Sequence, residues 1–146
     1  TAIKHAKKTY QRSNLIFQKA DIRTEMPAGA FDNIIWDAAI EHFTEDEITK
    51  IIKDLKNRMR QDAILSGYTI VENDSGVKHL HQHEYEFKSK EDLLRFFRPH
   101  FNNVVVFETI YPSRHNLYFW ASDDNSRMPF SGEWGSMCVK ATDTAA

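Results

Sequence analysis

Two spacings of apolar residues divide this chain. Helical spacing appears three times. Residues 1–12 place Ile3, Ala6 and Tyr10 on one face and Lys4, Lys7, Lys8 and Arg12 on the other, which predicts an amphipathic helix with a solvated basic face. After Thr44, Ile48, Ile51, Ile52, Leu55 and Met59 recur at helical spacing, and Thr44 with Glu47 forms a capping-box pattern. After Ser89, Leu93, Leu94, Phe97 and Phe101 mark the buried side of another helix, which Pro99 should end. Short apolar runs between turn residues predict strands at Leu15–Asp21, Ile34–Asp37, Ala63–Tyr68, Val104–Tyr111 and Asn116–Ser122. Pro112 to His115 make a tight connection, so the last two strands should be antiparallel.

Strands alternating with helices predict an α/β fold with a mostly parallel sheet and one antiparallel strand. The segment Phe31–Phe43 organises it. A buried strand ends there at Asp37, followed by Ala38, Ala39, Ile40, Glu41 and His42. In open α/β sheets, ligands bind beyond the carboxyl ends of the strands. Loops are expected at 23–30 and 73–76, and a polar, exposed connection at 77–88. From Asp123 onward no period is visible, so 123–146 is expected to be a tail, possible docking points being Phe130 and Trp134.

Composition narrows the function classes. The chain has 146 residues, so one domain is expected. A net charge of −2 gives no basic surface for nucleic acid or for a membrane, and no apolar run approaches a membrane span. Cys138 is the only cysteine, so no internal disulfide can form. With no secretory signal visible, a cytoplasmic location is expected.

The ordered motifs resemble those of class I S-adenosylmethionine-dependent methyltransferases. Phe31-Asp32 through Glu41-His42-Phe43 is similar to that family's fourth-strand segment, and Ala20-Asp21-Ile22 to its third-strand end. The helix start Phe87–Leu93 and the lead into the final strand, Arg114–Phe119, also fit. The resemblance covers residues 1 to about 122. It implies a Rossmann-like sheet in which the third strand is followed across the sheet by the second, first, fourth, fifth, seventh and sixth, with the seventh reversed.

It also implies an incomplete domain. The family's first two strands and its glycine-rich turn have no counterpart here: only five glycines occur, none clustered. Leaving out those strands opens a gap of about 14 Å, at ~4.8 Å per inter-strand step. The expected consequence is exposed sheet edges and self-association. Residues 1–122 are thus expected to form the carboxyl-terminal part of a methyltransferase domain.

The resemblance implies S-adenosylmethionine as cofactor and a small-molecule acceptor. Asp21 would accept from the adenine amino group, and the amide of Ile22 would face the ring. Trp36 and Asp37 would flank the methionine part. On its own residues, Asp21 reads equally as a turn acid or helix cap, and Trp36 as a core aromatic. His42 is the candidate catalytic base or pocket-shaping residue, with a backbone hydrogen bond as the alternative. His83-Glu84-Tyr85 is similar to a stretch near the substrate entrance of the family, and that resemblance makes His83 a candidate substrate contact. His79, His81 and His83 alternate and could share a face around Zn²⁺, but no second ligand cluster supports this, and no metal is expected. The alternative to an enzyme is a non-catalytic, methyltransferase-like binding or oligomerisation module.

Overall fold

The computed structural model describes residues 2–72 and 78–128, together with the backbone of 138–140. The elements are α1 (Ala2–Thr9), β1 (Phe31–Asp37), α2 (Glu45–Lys56), β2 (Met59–Ile70), α3 (Lys90–Phe97), β3 (Asn103–Tyr111), β4 (Arg114–Ser122) and β5 (Cys138–Lys140). The sheet order is β1-β2-β4-β3-β5. β1 pairs parallel to β2, β4 pairs antiparallel to both β2 and β3, and β5 pairs parallel to β3. One reversed strand therefore sits inside a sheet whose other strands share a direction, as expected from the sequence.

Local chemistry explains the elements. Thr44 caps α2: its hydroxyl accepts from the Glu47 amide, and the Glu47 carboxylate accepts from the Thr44 amide at 3.0 Å. Such a cap contributes about 1 kcal/mol. Ile48, Ile51, Ile52 and Leu55 are all buried on one face of α2. Each contributes about 1.5–3 kcal/mol by leaving water. Ser89 caps α3 through the Asp92 amide, and the helix ends two residues before Pro99. Pro112-Ser113 is a two-residue turn between Tyr111 and Arg114, which closes the β3–β4 hairpin.

One face of the sheet carries the core. Trp36, Leu65, Val106, Leu117, Phe119 and Ala121 meet the buried faces of α2 and α3 there. Phe97 packs on Phe119 with ring centroids 4.7 Å apart and the planes tilted by 35°. The three phenylalanines Phe96, Phe97 and Phe101 are core residues, as expected. On the opposite face, Tyr68, Tyr118, Phe107 and Trp120 form a ladder of ring contacts at 5.0–5.6 Å.

Three expectations need correction. Leu15–Asp21 is not a strand: it pairs with nothing among the described residues, and Leu15 and Ile16 are exposed. An apolar run becomes a strand only beside a partner ladder, and none reaches it. Met59 belongs to β2 rather than to the preceding helix, which ends at Lys56; Met59 pairs with Phe31. Within 123–146, Asn125–Arg127 form a 3-10 turn and 138–140 join the sheet, so these parts are structured. Phe130, Trp134 and the turn at 73–76 lie outside the described residues.

The outer edge of β1 has no partner strand among the described residues, and Ile35 on it is 70% exposed. Beside it an apolar cleft of about 290 Å³ runs between Met26, Phe31, Ile34, Ile35 and Leu55. Among the described residues, no helix is long and apolar enough to cross a membrane.

Candidate functional site

The site is built where β1 stops. Ala38 follows Asp37 with φ of 46°, the left-handed region that non-glycine residues rarely enter. Strain of this kind persists where the surroundings hold it, often at functional positions. Here the Ala38 amide donates to the Tyr68 carbonyl at 2.9 Å, tying the turn to β2. A 3-10 turn, Ile40–His42, comes next. Ile40 is fully buried and anchors that turn in the core. Glu41 and His42 are thereby held over the strand ends. They line a cleft of about 330 Å³ with Ala38, Tyr68, His83 and Arg114.

The connection 78–88 folds back over these strand ends. The Glu41 carbonyl accepts from the Glu84 amide at 2.9 Å and the Tyr85 amide at 3.1 Å. The Glu41 side chain is buried, and its Oε2 accepts from the Thr69 hydroxyl at 2.9 Å. His42 Nδ1 lies 3.3 Å from the Gln82 carbonyl. His83 is buried, with Nδ1 hydrogen-bonded to Glu86 Oε1. The same carboxylate accepts from the His79 amide at 2.7 Å and lies 3.1 Å from His79 Nδ1. Burial pushes the Glu86 carboxyl up, but the hydrogen bonds from His83 and His79 outweigh that and hold it below its ordinary range. An ionised carboxylate and a carbonyl can only accept. The Nδ1 atoms of His42 and His83 therefore carry protons, and in the neutral form of each ring Nε2 can accept or ligate. The two rings meet edge-on, with centroids 4.9 Å apart.

The residues expected from the sequence are partly brought together. His42 and His83 share the cleft. His42 also makes the backbone hydrogen bond that was its alternative reading. Asp37 ends β1 next to Ala38 and is exposed. Trp36 points the other way, into the core: its ring lies 5.8 Å from that of Phe43, and its Nε1 is buried without a hydrogen-bond partner. Asp21 is held by Arg23 through a two-pronged ion pair, with contacts of 2.9 and 2.7 Å. Those hydrogen bonds lower its pKa to about 2. Arg23 also lies 3.6 Å from Glu47, in the first turn of α2. That turn follows the end of β1, so Asp21 sits at the same end of the sheet as Asp37. Ile22 packs against the core.

His79, His81 and His83 do not share a site: two converge on Glu86, and His81 is exposed. The expectation of a wholly exposed connection is corrected at His83 and Glu86, both buried. Thr69 and Glu86 are not among the residues expected at the site, and Glu41, expected on the ligand side next to His42, carries no expected role. The available signals were the position of Glu41 beside His42 and of Glu86 three residues beyond His83.

The strand order and the placement of the cleft allow comparison with solved structures. SibL, an S-adenosylmethionine-dependent methyltransferase solved in its apo form, matches with a TM-score of 0.65 and 10% identity, over 84% of this chain and 40% of that one. This chain shares its fold. LepI in complex with SAM matches with a TM-score of 0.60 and 8% identity, over 82% of this chain and 33% of LepI. DhpI in its SAH complex matches with a TM-score of 0.57 and 12% identity, over 77% of this chain and 57% of that one. The chain thus spans a third to somewhat over half of the length of these structures. No protein-family model matches the sequence, and no curated protein matches it.

Proposed function

We propose that this chain is part of a larger domain that transfers a methyl group from S-adenosylmethionine to a small-molecule acceptor. The observation that carries this reading is the sheet order β1-β2-β4-β3 with β4 alone reversed, ending in a cleft at the carboxyl ends of β1 and β2. In the assignment implied by the motifs, residues 1–122 are the carboxyl-terminal part of that domain and 123–146 follow it. The open edge of β1 and the unpaired Leu15–Asp21 segment support strands between them that the described residues do not supply.

The residues present fit part of the cofactor. Asp37, exposed at the end of β1, suits its ammonium group. Asp21 lies at the same end of the sheet, but its carboxylate is engaged by Arg23, so adenine binding there requires that pair to open or to share an oxygen. The backbone amide of Ile22 lies beside it. Trp36 contributes through its main chain, since its indole is in the core. When bound, the cofactor supplies an electrophilic methyl carbon on a sulfonium. The chain holds the acceptor and excludes water. His42 Nε2 is placed to take a proton from an acceptor in the cleft, and His83 to contact that acceptor.

Calorimetric titration of the intact gene product with S-adenosylmethionine and S-adenosylhomocysteine tests this. Micromolar binding of both, weakened by Asp37→Ala, is expected. Absence of heat with either ligand contradicts the reading. The second reading, a non-catalytic module that self-associates, is favoured by the exposed Ile35 edge. It predicts no cofactor heat together with a dimer or larger species in sedimentation.

A further inference from the structure

We infer that Glu41, His42 and His83 form a binding site for a divalent transition-metal ion, with Zn²⁺ the best match, whose open coordination positions face the cleft. The site does not depend on cofactor binding, and an ion held by His42 Nε2 would take the place of that atom's proton-accepting role in the cleft.

One potential ligand atom from each residue lies within 4.8 Å of the others. Ligands about 2.1 Å from one tetrahedral ion stand ~3.4 Å apart, so small side-chain rotations complete the geometry. The residues come from two chain segments, and these are locked together: the Glu41 carbonyl holds the amides of Glu84 and Tyr85.

Each candidate ligand has an outer partner of the type that orients metal ligands. His83 Nδ1 is bonded to the Glu86 carboxylate, His42 Nδ1 faces the Gln82 carbonyl, and Glu41 Oε2 accepts from Thr69. An imidazole bound through one nitrogen to a carboxylate or carbonyl presents the other nitrogen to an ion.

The burial of Glu41 points the same way. The residue is 4% exposed, yet among the described residues its side chain has a single hydroxyl donor and no ion-pair partner. A buried carboxylate so weakly compensated is costly, and a cation between it and the two imidazoles offsets that cost.

The donor set selects the ion. Two imidazoles with one carboxylate suit Zn²⁺ and its first-row neighbours and leave positions for water or substrate. Mg²⁺ prefers oxygen ligands in octahedral geometry. The wall beside the open positions is formed by Ala38, Tyr68 and Arg114. The ion there would bind an oxygen of a small molecule in the cleft and draw electron density from it.

The test uses the intact gene product, stripped of metal by chelation and dialysis. ZnCl₂ and MgCl₂ are titrated separately by calorimetry, and bound metal is counted by atomic emission. One Zn²⁺ per chain with micromolar or tighter affinity is expected, without comparable Mg²⁺ binding. His42→Ala and His83→Ala should each weaken Zn²⁺ by more than the roughly 10–100-fold typical of losing an outer partner. His81→Ala, altering an exposed neighbour, should leave binding unchanged. Co²⁺ added to the unsubstituted protein should give the visible bands of a low-symmetry site with nitrogen and oxygen ligands, a readout that needs no variant. Absence of bound Zn²⁺, binding that survives both histidine substitutions, or a Co²⁺ spectrum of the hydrated ion overturns the proposal. None of these outcomes bears on cofactor binding, which is measured separately.

Discussion

Gly67→Ala is expected to destabilise the protein by about 3 kcal/mol or more, the upper range for forcing atoms into a packed core. Gly67 lies opposite Trp36 in the β1–β2 ladder and opposite Phe119 in the β2–β4 ladder. A Cβ built there falls 2.1 Å from the Trp36 carbonyl oxygen and 2.7 Å from the Phe119 ring. The ring can shift only by disturbing Phe97, against which it packs. The carbonyl belongs to β1, so relief requires β1 to move away from β2, which also displaces Ala38 and the turn that carries Glu41 and His42. Urea unfolding followed by circular dichroism measures this. Ser66→Ala, on the same strand but the opposite face, should lie close to the parent protein. A Gly67→Ala protein with an unchanged midpoint would contradict the close approach of β1 and β2.

Asp92→Ala is expected to cost about 3 kcal/mol, because hydrogen bonds to a charged group contribute more than neutral ones and several are lost together. The Asp92 carboxylate accepts from the Tyr85 hydroxyl at 2.8 and 2.9 Å, from Arg95 Nε at 2.8 Å and from the Lys88 amide at 3.0 Å. Arg95 in turn reaches Glu45 in the first turn of α2 at 2.6 Å. One carboxylate thus joins α3, α2 and the connection over the cleft. It also stands in the first turn of α3, where negative charge is favoured.

Burial pushes the Asp92 carboxyl up. The hydrogen bonds from Arg95, Lys88 and Tyr85 outweigh it and hold the group below its ordinary value of 3.8. The folded state therefore binds this proton more weakly than the unfolded chain. The stabilisation is fully present above the unfolded value and is lost as pH falls through the lower, folded value. Stability of the parent protein should fall in acid across that window, and the Asp92→Ala protein should show a shallower fall there. Parallel stability–pH profiles for the two proteins would contradict the assignment.

The legible parts of the fold were those written in local chemistry. The cap at Thr44, the apolar face of α2 and the short Pro112-Ser113 turn each act within a few residues, so the sequence alone shows them. Strand order followed from motif order, which survives at low identity. The failures share a cause. Leu15–Asp21 has the composition of a strand, but a strand also needs a neighbour, and composition does not report one. Met59 continues the helical spacing of α2, yet its backbone is taken by Phe31, more than twenty residues earlier.

At the candidate site, His42 is suggested by its type and its place just after β1, whereas Asp37 and His83 are candidates through the family resemblance. The position of Glu41 was visible but not its burial, and Glu86 was not expected there at all, because acids are usually solvated. Only the fold shows that these two are buried and where their partners lie.

In the proposed function, S-adenosylmethionine binds at the carboxyl end of β1. Amide chemical-shift mapping of the isotope-labelled intact gene product, titrated with S-adenosylhomocysteine, tests it most directly. The signals moving most should belong to Trp36–His42 and to Asp21 and Ile22, while those of the Pro112-Ser113 turn and of the α3 carboxyl end stay in place. Movement concentrated on the turn or α3, with Trp36–His42 unmoved, would contradict it.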